Sequence, residues 1–333
     1  MLGVRKESKN LVRNGGFDNY RLPAKCREVN DSKFGGWKLF HGKKFALCKK
    51  DDSGLRSDNK GNYLDVGATA GSHMDAVYQG IRTTRNQVYV LTFSVHAKDA
   101  SLYDSDEETL LVKWDGEVLG RFKATDGSTW TRYHLMVIGT GGRVKLSFHK
   151  MVAGSDGPYL EDVSLHERNE MLVNGNFDEY IVQGRGYNVV KDTLLNGWHS
   201  LNGNPVELWR DGHRRVKSRH GGGTMLELDV RRNAEGHPLD GIYQEVVTKS
   251  DKQYLLTFFL HARNENLRTT DGEAAVVAWN GEKLGRYIST EPYGWTRHQV
   301  VVQGTGGSDK LSFEEMISDG SGPVLDDISL VEI

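Results

Sequence analysis

The residues best equipped for chemistry in this 333-residue chain lie in three short stretches: PVELWR at 205–210, MLELDV at 225–230 and LTFFLHAR at 256–263. Along a half-buried strand, successive side chains point to opposite faces. If Val206 and Leu208 face a core, Glu207 and Trp209 share the outer face. The same parity sends Glu227 and Asp229 outward from Leu226 and Leu228, and sets His261 and Arg263 together. An indole, carboxylates, an imidazole and a guanidinium on one face form a sugar-binding set. The ring stacks on the apolar side of a pyranose while the charged groups fork its hydroxyls. Glu207, Trp209, Arg210, Glu227, Asp229, His261 and Arg263 are therefore the candidate ligand-binding residues. The competing reading packs Trp209 under a loop or against the neighbouring domain, and makes Glu207, Glu227 and Arg263 an ordinary cross-strand charge cluster. The basic run HRRVKSRH at 213–220 reads as a solvated loop, or as a reader of uronate or sulfate groups beside that face.

Catalysis finds little to work with. There is no G-x-S-x-G, H-E-x-x-H, P-loop or C-x-x-C pattern. Glu207 and Glu227 are the one carboxylate pair that could be nominated for glycoside hydrolysis, so the expectation is a protein that is not an enzyme. A net charge of −2 offers no global field for nucleic acid. Apolar runs such as YLLTFFL are strand-length, far short of a bilayer span, so neither nucleic acid nor membrane insertion is expected. Cys26 and Cys48 could pair in an oxidising compartment or remain two thiols. No signal peptide opens the sequence, so a secretion signal is absent or removed.

The elements that must position these residues come from a sequence written twice. LVRNGGFDNY at 11–20 answers to LVNGNFDEY at 172–180, YVLTFSVHAK at 89–98 to YLLTFFLHAR at 254–263, and GPYLEDVSL at 157–165 to GPVLDDISL at 322–330. From Tyr78 onward the repeats run at a constant offset of 165. WDGE and WNGE are two-residue hairpin signatures, and GTGG recurs as a glycine-rich connection. Short β-branched segments without helical periodicity predict an all-β fold of two tandem antiparallel β-sandwiches of jelly-roll type, spanning 10–166 and 171–333. The pairs Trp37/Trp198, Trp114/Trp279 and Trp130/Trp295 recur in both repeats and read as packing residues. Trp209 instead answers to Cys48, and Glu207, Glu227 and Arg263 answer to Ala46, Asp65 and Lys98. Ligand binding is thus expected mainly in the second repeat, with a degenerate face in the first.

The LVxNGxFD opening, the following Gly-Trp, the YxLTF strand and the terminal GPxLDDxSL resemble β-sandwich carbohydrate-binding modules with a galactose-binding-like jelly roll. The resemblance runs from about Leu11 to Leu330. It implies a non-catalytic, lectin-like protein, extracellular or at a cell surface, whose partner is a glycan or polysaccharide. It also implies a structural calcium ion held by Asp18 with Asp162 and by Asp178 with Asp327. Turn hydrogen bonding by those aspartates is the competing account. The rival function is a structural or adhesion protein of a cell surface or virion that mediates protein contacts.

Overall fold

The computed structural model describes residues 8–22, 26–30, 34–40, 44–49, 61–67, 76–152, 157–184, 186–219, 221–230, 239–264, 266, 270–317, 320 and 322–333. The chain divides into two compact units, Met1–Arg168 and Asn169–Ile333. In the first, the strands are β1 (Cys26–Asn30), β2 (Lys38–Leu39), β3 (Lys44–Lys49), β4 (Asn62–Asp65), β5 (Ala76–Arg82), β6 (Val88–His96), β7 (Leu110–Trp114), β8 (Glu117–Phe122), β9 (Thr131–Ile138), β10 (Arg143–Lys150) and β11 (Tyr159–Arg168). In the second they are β12 (Tyr187–Val190), β13 (His199–Ser200), β14 (Val206–Arg210), β15 (Thr224–Glu227), β16 (Gly241–Val247), β17 (Gln253–His261), β18 (Ala274–Trp279), β19 (Glu282–Ile288), β20 (Thr296–Gln303), β21 (Ser308–Glu315) and β22 (Val324–Glu332).

Each unit is a six-stranded sheet and a five-stranded sheet, ordered β1-β3-β4-β11-β6-β9 and β2-β5-β10-β7-β8, then β12-β14-β15-β22-β17-β20 and β13-β16-β21-β18-β19. All pairings are antiparallel. The fold is all-β, as the patterning predicts, with only short 3-10 turns beside the strands among the described residues. The hairpin signatures fold as two-residue turns because Asp115–Gly116 and Asn280–Gly281 supply the positive φ angles such turns require.

Each core fills the space between its two sheets, with one face of each strand turned inward. In the second unit Leu208, Leu226, Leu256, Phe258, Phe313 and Leu330 are fully enclosed. Trp37 and Trp198 are buried in equivalent places, each indole donating to a carbonyl of the opening turn: Asn14 O and Asn174 O, both at 3.1 Å. Trp114 and Trp279 are likewise buried, their indole nitrogens donating to Ile138 O and Gln303 O. These two recurrent pairs therefore pack, as their recurrence implies; Trp130 and Trp295 are half-buried, their rings against those of His96 and His261.

Cys26 and Cys48 face each other across β1 and β3 and are joined as a disulfide. Pairing is the alternative the structure selects.

Candidate functional site

The parity read from the sequence holds in the second unit. Val206, Leu208, Leu226 and Leu228 enter the core between the sheets, while Trp209 and Met225 pair on the reverse face of β14 and β15. That face is covered. After β14 the chain doubles back through a tight loop, with Gly212 N donating to Val216 O at 2.8 Å. Val216 lands on Trp209, Met225 and Val324 to form a second, smaller apolar cluster, against which Trp295 packs. The His213 ring meets Trp209 edge-on at 4.7 Å, and the Trp295 indole holds the loop by donating to Lys217 O at 2.7 Å.

Trp209 is 0% exposed. The expectation of an open aromatic platform is therefore overturned: the indole is the plug beneath a loop, and a buried ring cannot stack on a sugar. The basic run shares in this covering. Arg219 lies 4.0 Å over the Phe259 ring, and its backbone N–H donates to Asp326 Oδ2. His220 lies outside the described residues.

The charged members of the set form a closed network. Glu207 accepts from the Trp209 indole at 2.7 Å. Arg263 Nη1 donates to Glu227 Oε1 at 2.7 Å and to Gly320 O at 2.6 Å. Gly322 N donates to Glu227, and Gly320 N to Asp229 Oδ2. The connection between β21 and β22 thus caps these carboxylates.

Burial raises the carboxyl pKa of Glu207, and lifts that of Glu227 well above the ordinary value against the opposing pull of Arg263. His261 is buried, its ring 5.4 Å from that of Trp295. Glu207, Glu227, Asp229, His261 and Arg263 are brought together as predicted, but beneath the surface rather than facing an open solvent site. A hydrolytic role for Glu207 and Glu227 meets the same obstacle.

The aspartates assigned to calcium have other work. Asp18 and Asp178 sit in the opening turns, exposed, and accept the backbone N–H groups of Asn62 and Thr224, both at 2.8 Å. Asp162 and Asp327 both have φ of 49°, which asparagine and aspartate tolerate better than most residues. They form a bulge in the closing strand of each sandwich. There the chain meets the opening turn: Val163 N donates to Gly15 O and Ile328 N to Gly175 O. A Cβ on Gly15 or Gly175 would fall 1.7 or 1.9 Å from the bulge carbonyl, so only glycine fits.

Asp162 is paired with Arg132 at 2.9 Å, and Asp327 lies 3.7 Å from the Arg219 guanidinium. The NGxF and DD motifs thus meet at a backbone joint, and the four aspartates at it take part in turn hydrogen bonds and arginine contacts. The acidic group able to hold a metal ion among the described residues is another one, Asp229, Asp240 and Glu315, whose ligand atoms lie within 4.8 Å of one another.

Arg210, alone of the predicted ligand residues, is exposed. It lines a cleft of about 620 Å³ with Asp178, Tyr180, Ile181, Gln183 and the backbone of Gly221–Gly223. The β14–β15 hairpin supplies one wall, and the segment leading from the opening turn supplies the other. Arg210 Nη1 reaches Gly184 O at 3.3 Å, which leaves most of the guanidinium fork unused by the bonds seen there. Ile181 is 73% exposed and gives the cleft an apolar patch. Sequence reasoning missed this wall. Its available signal was the GGG run at 221–223, which removes side chains where the chain passes a concave surface.

No protein-family model and no curated protein matches the sequence. Solved structures show a partial likeness. An arabinose-bound α-L-arabinofuranosidase (MgGH51) has 17% identity, over 50% of this chain and 27% of that one, with a TM-score of 0.35. This chain therefore spans about a quarter of that enzyme. The tandem CBM22-1–CBM22-2 domain of Paenibacillus barcinonensis Xyn10C has 11% identity over 99% of both chains, with a TM-score of 0.27. A family 35 carbohydrate-binding module from Clostridium thermocellum has 17% identity, over 43% of this chain and 96% of that one, with a TM-score of 0.28.

Proposed function

We propose that this protein is a non-catalytic glycan-binding protein whose second sandwich takes a carbohydrate in the Arg210 cleft. The observation that carries the reading is that cleft: about 620 Å³ of mostly polar space with a guanidinium, a carboxylate, an amide, a phenol and an exposed aliphatic side chain converging on it. Arg210, Asp178 and Gln183 offer directed donors and acceptors to hydroxyls, and Ile181 offers a surface for sugar C–H groups. Among the described residues, Asp178 is the sole acidic side chain lining it. A retaining or inverting hydrolase needs two carboxyl groups facing the scissile bond, so binding without cleavage suits the lining better.

Affinity for one sugar unit is expected to be weak, since hydroxyls exchange water hydrogen bonds for protein ones. An extracellular or surface setting agrees with the Cys26–Cys48 disulfide. With one carboxylate in the cleft, calcium has a structural role in this reading rather than a ligand-bridging one.

The test is a glycan array and titration calorimetry on the intact chain with Arg210→Ala and Gln183→Ala. Loss of a charge-assisted hydrogen bond should weaken binding by about 10-fold or more for Arg210→Ala, with the circular dichroism spectrum unchanged. Absence of any glycan binding by the wild type would reject the reading and leave protein-contact partners as the rival. Binding indifferent to both substitutions would remove it from this cleft.

A further inference from the structure

The carboxylates of Asp229, Asp240 and Glu315 converge from three segments of the second sandwich: the end of the β15 region, the entry to β16 and the end of β21. All three residues are buried, with exposures of 1%, 5% and 0%. Protein donors satisfy part of the group. Asn202 and Asn204 donate to Asp240 Oδ1 at 2.8 and 2.9 Å, and Val230 N donates to Oδ2 at 3.2 Å. Asp240 N donates to Glu315 Oε1 at 2.7 Å, and Gly320 N to Asp229 Oδ2 at 2.5 Å. Glu315 Oε2 is buried and takes no bond from a backbone or amide donor; the Asp229 carboxyl lies within hydrogen-bond reach of Glu315. Two enclosed carboxyl groups so close together need a shared proton or a cation between them.

The first sandwich carries its own cation at this position. At the constant offset of 165, Glu315 answers to Lys150, which ends β10 and is 1% exposed. Asp65 pairs with Tyr159, and Glu227 pairs with Val324. Two residues further along each strand, Gly67 therefore answers to Asp229. One sandwich has an ammonium and a glycine where the other has two carboxylates.

We propose that Asp229, Asp240 and Glu315 bind one hard divalent cation, calcium by donor type, which does in the second sandwich what the Lys150 ammonium does in the first. The donors are all oxygen, with no imidazole or thiolate to favour a transition metal. Oxygens on opposite sides of a calcium ion stand about 4.6–5.2 Å apart, and the three carboxylates fit within that span at 4.8 Å or less. The ion ties the β15–β16 connection to the end of β21. This site is separate from the aspartates of the opening turns and independent of the glycan cleft.

The test is calcium titration calorimetry on the intact chain, with thermal unfolding in calcium and in chelator. The wild type should bind a single ion, and saturating calcium should raise the second sandwich's Tm by roughly 5–10 °C over chelator. Glu315→Gln should abolish the calorimetric signal. Glu315→Lys, which restores the first sandwich's residue, should unfold at the same temperature in calcium and in chelator. Should Glu315→Lys fail to fold, Asp240→Asn and Glu315→Gln still decide the matter by calorimetry. Equal wild-type Tm in calcium and chelator with no heat of binding would overturn the proposal. Calcium binding that survives both Glu315→Gln and Asp240→Asn would overturn it too, by placing the ion elsewhere.

Discussion

The edge pair of the large sheet is fastened differently in the two sandwiches. In the first, Cys26 and Cys48 oppose each other across β1 and β3 and are joined covalently. In the second, Tyr187 and Trp209 hold the same register positions across β12 and β14. There the fastening is apolar packing, with Trp209 sealed under the loop that follows it. A second equivalent pair differs in degree. Lys98 meets Asp65 at 3.0 Å with 24% of its side chain exposed, whereas Arg263 meets Glu227 at 2.7 Å with 16% exposed and its partner wholly buried. One backbone thus admits several local solutions, and a residue that departs from its counterpart need not be a ligand residue. It can be the other way of closing the same gap.

The comparison can be broken most forcefully at its buried ends. Trp209→Ala should destabilise the second sandwich by about 3–5 kcal/mol through the cavity it leaves, measured by urea unfolding, with the first sandwich's transition unmoved. Arg263→Met should cost a similar amount, about 3–5 kcal/mol, because Glu227 would keep its burial and lose its cation. Lys98→Met should cost about 1 kcal/mol or less at its more solvated pair. If the two costs are equal, the difference in enclosure does not matter. Cys26→Ser with Cys48→Ser should cost about 3 kcal/mol, by loop-closure entropy over a separation of 22 residues, and should lower only the first sandwich's transition.

A smaller effect distinguishes the sandwiches by pH. Burial, helped by Lys113, depresses the His149 imidazole from 6.5 to about 4. A base held neutral in the fold binds fewer protons than it does unfolded. Its contribution is therefore intact above pH 6.5 and is lost as pH falls from there through about 4. His149→Gln should flatten the acid-side decline of the first sandwich's Tm in that window. An unchanged slope would reject the assignment.

Much of the architecture was legible because the chain states it twice. The hairpin dipeptides, the recurrent tryptophans and the alternation of Val206, Leu208, Leu226 and Leu228 all land where the repeats place them. The strand parity of Glu207, Trp209, Glu227 and Arg263 was legible too, and it correctly gathered them on one side. Whether that side meets water was not. Its cover comes from Val216 and Trp295, far apart in the chain, and from Gly320 and Gly322 beyond β21. Strand alternation carries no information about such tertiary contacts. The left-handed φ of Asp162 and Asp327, and the arginines their carboxylates meet, were not legible either, because the side-chain type alone reveals neither. Arg210 was found from the sequence, but the glycine run beside it and the Asp178–Gln183 segment across the cleft were not.

The most direct measurement sets the two tryptophan-strand neighbours against each other. Wild type, Arg210→Ala and Trp209→Phe are run side by side on one glycan array, with fold checked by circular dichroism. The account predicts that Trp209→Phe keeps the wild-type binding profile and that Arg210→Ala loses it. Binding abolished by Trp209→Phe in a folded protein, and retained by Arg210→Ala, would contradict the account and return the ligand to the covered face.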